Sequence, residues 1–322
     1  MDSSLPTAYD DEPVASRAQP VDQPAKQRSI VLVTYGVRVA GTTRLWAPAD
    51  FGKAIKPFVS LEHEQIDVRK WRHVHPRPYS GVAILNLVLS GDVAYRDSTG
   101  NSGRLGPGGV AWLMSGRGAW QEHAVQSGQA GRIIQLRIAL PAAMEDLPPR
   151  SRYISPVVVA QKGPARVILG RLGSSVGSIR ALDVNLFHVH LQDRQHWQYT
   201  PPPRHVISWI AVDRGRLRSP RAESLQTLDD GELAIFEEAD NGAIAVKSEG
   251  VTSFIIGSSS QHPHPLVYDR HSVHTSESAL AKGKAEVVRI GRELLLDARL
   301  GATRDKSPRP APNLPFAASL PY

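Results

Sequence analysis

The stretch from Gly91 to His123, GDVAYRDSTGNSGRLGPGGVAWLMSGRGAWQEH, decides the fold. It alternates short strand-forming runs with turns rich in Gly, Asp and Asn, which tolerate the backbone angles of a tight reversal. The apolar run Val110–Met114 has the length of a buried strand. This pattern is typical of one half of a small antiparallel barrel. The polar residues at its end predict a pocket, because ligands and metals bind at the mouth of such barrels.

Short apolar runs separated by Gly and Pro continue along both halves of the chain and predict an all-β protein. The two halves repeat one arrangement, in which an apolar strand, a turn and a Gly-led return strand follow each other, so we expect two copies of one barrel or sandwich. The predicted strands are 29–33, 57–61, 81–89 and 132–140 in the first half, and 183–191, 206–212, 232–236, 243–246 and 252–256 in the second.

Composition sets the predicted domain boundaries. Segments 1–28 and 302–322 are rich in Pro, Ser, Ala and charge, which predicts disordered tails. Between them we expect a first domain over 29–145 and a second over 146–301. The second domain closes with a helix over 276–299, which Thr275 or Ser276 caps and Gly301 ends. Such a helix is expected to pack across the domain interface.

The composition also excludes several kinds of site. The 322 residues include no Cys, so disulfides, thiolate metal sites and thiol catalysis are excluded, which fits a reducing compartment. No run approaches the ~18 apolar residues of a membrane helix, and we predict a cytoplasmic protein without membrane contact. The net charge is +7. Only segment 214–221 clusters Arg residues, and it lacks interleaved aromatics, so nucleic acid is not favoured as a partner.

The residues of several segments resemble the pirin family. Segment 57–63, PFVSLEH, resembles one pirin element, and 91–118 resembles the pirin signature of strands around a Gly-Arg-Gly turn. Leu140–Ala143 matches the exit from the first domain, and 265–296 is similar to the C-terminal helix region. The resemblance implies two tandem cupin-type β-barrels with a C-terminal helix. It also implies one non-haem iron in the N-terminal barrel.

In pirins the iron ligands come from a His-Pro-His segment before the long apolar strand and a His-x-Glu after the Gly-Arg-Gly turn. Aligned on Gly91 and Gly118, these positions fall on four other residues: Arg77, Tyr79, Gln121 and His123. None of the ligand types is retained. Arg77 also brings a fixed positive charge to the place of a dication, which is repulsive unless the side chain points away. The sequence therefore favours a degenerate, metal-free pocket.

In two alternative interpretations this barrel still binds a metal ion, which would be iron. His73 and His75 form a His-x-His pair on one face of a strand and could join His123 and Glu122. Alternatively, Tyr79 and His123 could bind a metal weakly with waters.

Other histidines fall in the second half of the chain, away from the family's metal site. His262-Pro263-His264 repeats the ligand motif, and His188 and His190 share a strand face near His196 and His205. Core or solvated imidazoles are the more common explanation for them.

Three functions remain open. The first is a regulatory or ligand-binding pirin-like bicupin, with a small molecule in the N-terminal barrel or a protein partner. The second is an iron-binding oxidoreductase of the quercetin 2,3-dioxygenase type, because some pirins oxidise quercetin with dioxygen. The third, a transcriptional cofactor that contacts nucleic acid or its binding proteins, has the weakest support in the sequence.

Overall fold

A computed structural model describes residues 26–39, 42–47, 50–51, 54–67, 76–125, 130–219 and 227–304. The described part is built of antiparallel strands and one long C-terminal helix, which confirms the all-β prediction. In chain order the elements are β1 (Ile30–Tyr35), β2 (Val37–Val39), β3 (Thr42–Trp46), β4 (Phe58–Asp67), β5 (Arg77–Tyr79), β6 (Val82–Ser90), β7 (Val93–Asp97), β8 (Ser102–Leu105), β9 (Val110–Met114), β10 (Ala119–Val125), β11 (Ala130–Ala139), β12 (Arg150–Ile154), β13 (Ala160–Lys162), β14 (Ala165–Leu169), β15 (Arg171–Leu172), β16 (Ser175–Val176), β17 (Val184–Leu191), β18 (His196–Tyr199), β19 (Ile207–Arg218), β20 (Thr227–Asp229), β21 (Glu232–Phe236), β22 (Ile244–Ser259), β23 (Val267–Tyr268), β24 (Val273–His274) and α1 (Glu277–Arg304).

The first barrel is formed by two sheets. One has seven strands in the order β12-β9-β6-β11-β4-β3-β2, and the other has the order β5-β10-β7-β8. The turns predicted in the opening stretch separate β7, β8, β9 and β10, and Gly100 and Gly108 occupy positive φ there (87° and 81°). That backbone region is readily open only to Gly, so these residues fix the strand lengths.

The second barrel is formed by a nine-stranded sheet with the main order β1-β21-β19-β22-β17-β14-β13. Its strands β19 and β22 are long, with 12 and 16 residues. The strands predicted over 243–246 and 252–256 are parts of β22, because the intervening polar residues continue in the same strand rather than in a turn. The interior of this barrel is filled by apolar side chains, among them Val167, Phe187, Ile210 and Phe254.

The two barrels pack back to back through one shared apolar core. Trp209 of the second barrel contacts Trp46 and Phe58 of the first, with ring centroids 5.0 and 5.4 Å apart. Gly257 makes room for this ring, because a Cβ there would lie 2.5 Å from it. Since all three aromatic side chains are fully buried, this contact fixes the two barrels against each other.

The N-terminal segment belongs to the second barrel, which differs from the boundary predicted at residue 29. β1 pairs with β21. Arg28, placed in the predicted tail, is buried and donates hydrogen bonds to the carbonyls of His205, Val206 and Ala239 at 2.7–3.0 Å. The remaining tail predictions, for 1–25 and 305–322, lie outside the described residues.

The C-terminal helix packs on the first barrel. Ser276 caps it, accepting a hydrogen bond from the Ala279 backbone N–H at 3.2 Å, and the helix continues through Gly301, where we expected it to end. The Trp120 indole N–H donates to the Val287 carbonyl at 2.9 Å, which attaches α1 to β10. No helix in the described part of the chain is both long and apolar enough to cross a membrane.

We predict that Gly283→Ala destabilises the protein although Ala favours a helix by about 1 kcal/mol. A Cβ at Gly283 would lie 2.5 Å from both His274 Nε2 and Ser80 Oγ, which are buried and bonded to each other at 2.9 Å. The free energy of unfolding, measured in denaturant, should fall by about 1–3 kcal/mol. Lys282→Ala, on the exposed face of the same turn, is the control and should not lower it. An unchanged Gly283→Ala variant would show that the helix does not pack here.

Candidate functional site

A layer of polar side chains crosses the interior of the first barrel. Alternate residues of a strand share a face, and along the inner face of β6 the order is Ile84, Asn86 and Val88, so Asn86 interrupts an apolar wall. The other strands of this barrel also carry polar residues on their inner faces, at the same height as Asn86. We call this layer the polar band: Glu64, Arg77, Tyr79, Asn86, Gln121, His123 and Gln135.

One part of the polar band is a chain of neutral hydrogen bonds. The Tyr79 hydroxyl donates to Gln135 Oε1 at 3.3 Å, Gln135 Nε2 donates to Asn86 Oδ1 at 2.9 Å, and Asn86 Nδ2 donates to Gln121 Oε1 at 3.0 Å. All four side chains are buried. This linked set holds the amides of Asn86 and Gln135 in one orientation, because a flip of either would break two buried hydrogen bonds. The chain ends at Gln121, whose Nε2 has no partner among the described residues.

The other part is a charged group centred on Glu64. One carboxylate oxygen accepts a hydrogen bond from Arg77 Nη2 at 3.3 Å, and the other lies 3.2 Å from His123 Nε2. Burial acts to raise the pKa of Glu64, but the adjacent His123 and Arg77 outweigh it and lower this pKa to about 2. Glu64 is therefore a carboxylate at neutral pH, held from two sides. We call Glu64, Arg77 and His123 the charged triad.

The register of β5 and β10 places the four positions aligned with family ligands on one inner face. Gln121 lies opposite Arg77, and Ala119 lies opposite Tyr79. Because directly opposite residues of an antiparallel pair share a face, Arg77, Tyr79, Gln121 and His123 all point into the barrel. The alignment of the sequence with the family motif therefore identifies residues that are neighbours in space.

Glu122 does not join His123, which corrects one metal alternative. It lies on the outer face of β10, opposite Arg96 of β7, and accepts a hydrogen bond from Arg96 Nε at 2.7 Å. Adjacent residues of a strand point to opposite sides of the sheet, so the two side chains cannot share an ion. His73 and His75 lie outside the described residues.

Sequence reasoning missed Glu64, Asn86 and Gln135. The signal for Asn86 was present, since it is the one polar residue within the run GVAILNLVL (81–89). Glu64 was missed because the predicted strand ended at Leu61, whereas β4 continues to Asp67. Its alternate residues Glu62 and Glu64 point inwards, and Glu62 pairs with Arg137 at 3.0 Å.

Two histidines of the second barrel, His188 and His205, make structural hydrogen bonds. His188 Nε2 lies 2.9 Å from Ser253 Oγ, and the two ring nitrogens of His205 lie 2.9 and 3.0 Å from Ser258 Oγ and Asp183 Oδ1. Within the described ranges, no three His, Asp or Glu side chains are grouped so that they could hold a metal ion.

The motif His262-Pro263-His264 lies between β22 and β23. His262 is buried, with its Nε2 3.2 Å from the Leu140 carbonyl oxygen, whereas His264 is exposed. His262 therefore connects the chain between β22 and β23 to Leu140, at the end of the first domain.

Comparison with known proteins confirms the family resemblance. Residues 40–138 match the family model described as Pirin, a range that runs from the start of the β3 region almost to the end of β11. Over this range the chain is similar to the pirins. A Pseudomonas aeruginosa protein provisionally named a quercetin 2,3-dioxygenase is 27% identical over 228 residues, which cover 64% of this chain and 79% of the relative.

Solved structures show the same fold. The crystal structure of a quercetin 2,3-dioxygenase from Acinetobacter baumannii matches with a TM-score of 0.71 and 17% identity, covering 81% of this chain and 96% of that one. A bacterial pirin from Escherichia coli in complex with nickel(II) matches with a TM-score of 0.57 and 14% identity, covering 71% of this chain and all of that one. At these identities the similarity establishes the pirin and cupin architecture.

The polar band does not fit the iron site that the pirin resemblance implies. A non-haem iron site needs several imidazole and carboxylate donors with open positions. Here the band offers one imidazole and one carboxylate, which contact each other, and the guanidinium of Arg77 lies against the same carboxylate. At two other aligned positions, Gln121 and Tyr79 offer only weak, neutral ligand atoms for a metal. Both side chains already take part in the hydrogen-bond chain.

We predict that Glu64→Gln lowers the free energy of unfolding by about 3 kcal/mol at pH 7, because it leaves Arg77 inside the barrel without its carboxylate. The measurement is urea unfolding of both proteins. Glu238→Gln, which removes an exposed carboxylate, is the control and should change stability by less than about 0.5 kcal/mol.

We also predict that the stability difference between wild type and Glu64→Gln depends on pH. Glu64 has a lower pKa in the folded protein, about 2, than in an unfolded chain, where it is about 4.3. Its contribution is therefore fully present above the unfolded value and is lost as pH falls towards the folded one. The stability difference between wild type and Glu64→Gln should hold from pH 7 to about 5 and shrink below that. A difference that stays constant down to pH 3 would contradict the charged triad.

Proposed function

We propose that this protein is a pirin-like bicupin whose first barrel binds a small molecule without a metal ion, in a ligand-binding or regulatory role. The charged triad carries this proposal. At two of the positions aligned with pirin iron ligands the chain has Arg77 and His123, and both lie against the carboxylate of Glu64.

The charges of the triad oppose a bound dication. Arg77 is always protonated, and its guanidinium lies 3.3 Å from the carboxylate that a metal would need. A metal would have to displace this cation from Glu64 and leave it without its carboxylate partner, which is unfavourable. The ion pair therefore keeps the Glu64 carboxylate engaged with Arg77.

The contrast between the two barrels supports a ligand site in the first one. The second barrel is filled with apolar side chains, whereas the first keeps a polar band between two apolar clusters. Pockets that bind small molecules have this composition, in which apolar walls supply affinity and a few fixed polar groups supply orientation.

The alternative functions have less support in the site. The names of the relatives from Pseudomonas aeruginosa and Acinetobacter baumannii favour a quercetin 2,3-dioxygenase, a reaction that the resemblance associates with iron. Contact with nucleic acid would have to use the Arg cluster, but Arg216 pairs with Asp229, and Arg218 pairs with Glu249. These two side chains are already neutralised.

We predict that the purified protein takes up no stoichiometric Fe(II) or Ni(II). A variant that combines Arg77→His, Tyr79→His, Gln121→His and His123→Glu restores the ligand types of the family and should gain one metal ion. The measurement is metal content after anaerobic loading and desalting, together with isothermal titration. Thermal unfolding of the variant checks that it is folded.

Two outcomes would overturn the proposal. One is wild-type protein that retains one equivalent of metal with a Kd below about 1 μM and loses it in His123→Ala. The other is the same binding that is lost in a His73→Ala, His75→Ala double variant, which would establish the His-x-His alternative.

A further inference from the structure

A cavity of about 640 Å³ opens on the side of the first barrel, next to the polar band. Its walls come from β3, β4 and β11 and from the closing segment 268–273, which follows β23 along the chain. Ser272 of this segment bridges to Ser80 at the end of β5, so the segment covers the side of the barrel between β5 and β4. The volume lies in the range of small-molecule pockets.

The cavity has a surplus of positive charge. Three arginines line it, Arg44, Arg137 and Arg270. Arg137 is paired with Glu62, and the other lining carboxylate, Asp269, is paired with Lys284 at 2.7 Å. The side chains of Arg44 and Arg270 have no acceptor among the described residues, so two guanidinium groups of the wall are available to an anion.

Two wall atoms also lack a hydrogen-bond partner. Arg44 Nε and the Tyr268 hydroxyl are covered from solvent and bond to no acceptor in the described part of the chain. A buried donor without an acceptor costs about 1–3 kcal/mol. A small rotation of either side chain towards the cavity would give it an acceptor if an anion were bound there.

The rest of the wall is apolar or aromatic. Val59 and Val273 line the cavity, together with the rings of Tyr268 and His271. Burial, with Arg137, Arg77 and Arg270 nearby, lowers the pKa of His271 to about 4, so this ring is neutral at pH 7.

His271 also joins the cavity to the polar band. Its ring meets Tyr79 edge to face, with ring centroids 5.9 Å apart. An occupant of the cavity would therefore lie against a side chain that contacts the band directly.

We propose that this cavity binds a small organic carboxylate, with the anion held by Arg44 and Arg270 and the apolar body against the valine and aromatic wall. The guanidinium group matches a carboxylate in geometry as well as in charge. The inference rests on the proposed function in that it names the ligand class of the first barrel. It does not depend on whether the triad excludes a metal.

The test is isothermal titration of the full chain with benzoate and with benzamide, which has the same shape and no charge. Benzoate should bind at least about tenfold more tightly than benzamide. Arg44→Gln and Arg270→Gln should each weaken benzoate binding by about tenfold or more. Arg214→Gln, which removes an exposed arginine elsewhere, is the matched control and should leave the affinity unchanged.

Several results would overturn this inference. They are no benzoate binding at ~10 mM, equal binding of benzoate and benzamide, or full affinity in both pocket variants. Inorganic phosphate serves as a third probe. If phosphate binds more tightly than benzoate through the same arginines, the ligand class is a phosphate and not a carboxylate. Unfolding curves show whether each variant is folded. Metal uptake by wild-type protein with intact benzoate binding would overturn the proposed function and leave this inference standing.

Discussion

The first barrel depends on one constraint, the burial of the Glu64 carboxylate between two basic side chains. A carboxylate inside a barrel is tolerated only if its charge is compensated, and here Arg77 compensates it, while His123 Nε2 lies 3.2 Å from its other oxygen. Since the three residues come from β4, β5 and β10, the ion pair also connects the two sheets of the barrel. The same interaction that stabilises the charged interior therefore determines which chemistry the interior can support.

The two barrels share an architecture but differ in what fills them. They pack against each other through the contact of Trp209 with Trp46 and Phe58. Away from this contact, the interior of the second barrel is apolar, whereas a polar band crosses the interior of the first. A polar interior carries a desolvation cost that an apolar one avoids, and the second barrel shows that this chain can build the apolar kind. That comparison is a physical reason for placing function in the first barrel.

The sequence predicted the local features well and the non-local ones poorly. The turns at Gly100 and Gly108 could be predicted because positive φ and alternating apolar residues are properties of short segments. The pairing of β1 with β21 could not, since about 200 residues separate these strands and each has the same apolar pattern as the other strands. For the candidate site, alignment to the family signature located Arg77, Tyr79, Gln121 and His123. The partner Glu64 needed the register of β4 against β11, which no local pattern encodes.

Segments from the second half of the chain complete the first barrel, and this links the site to the whole molecule. The helix α1 contacts β10 through Trp120, on the face opposite to Gln121 and His123. The closing segment brings His271 against Tyr79 and holds Arg137 through the carbonyl of Arg270 at 3.2 Å. A displacement of this segment would open the cavity and remove contacts from the polar band at the same time. The closing segment therefore contributes side chains both to the cavity wall and to the edge of the polar band.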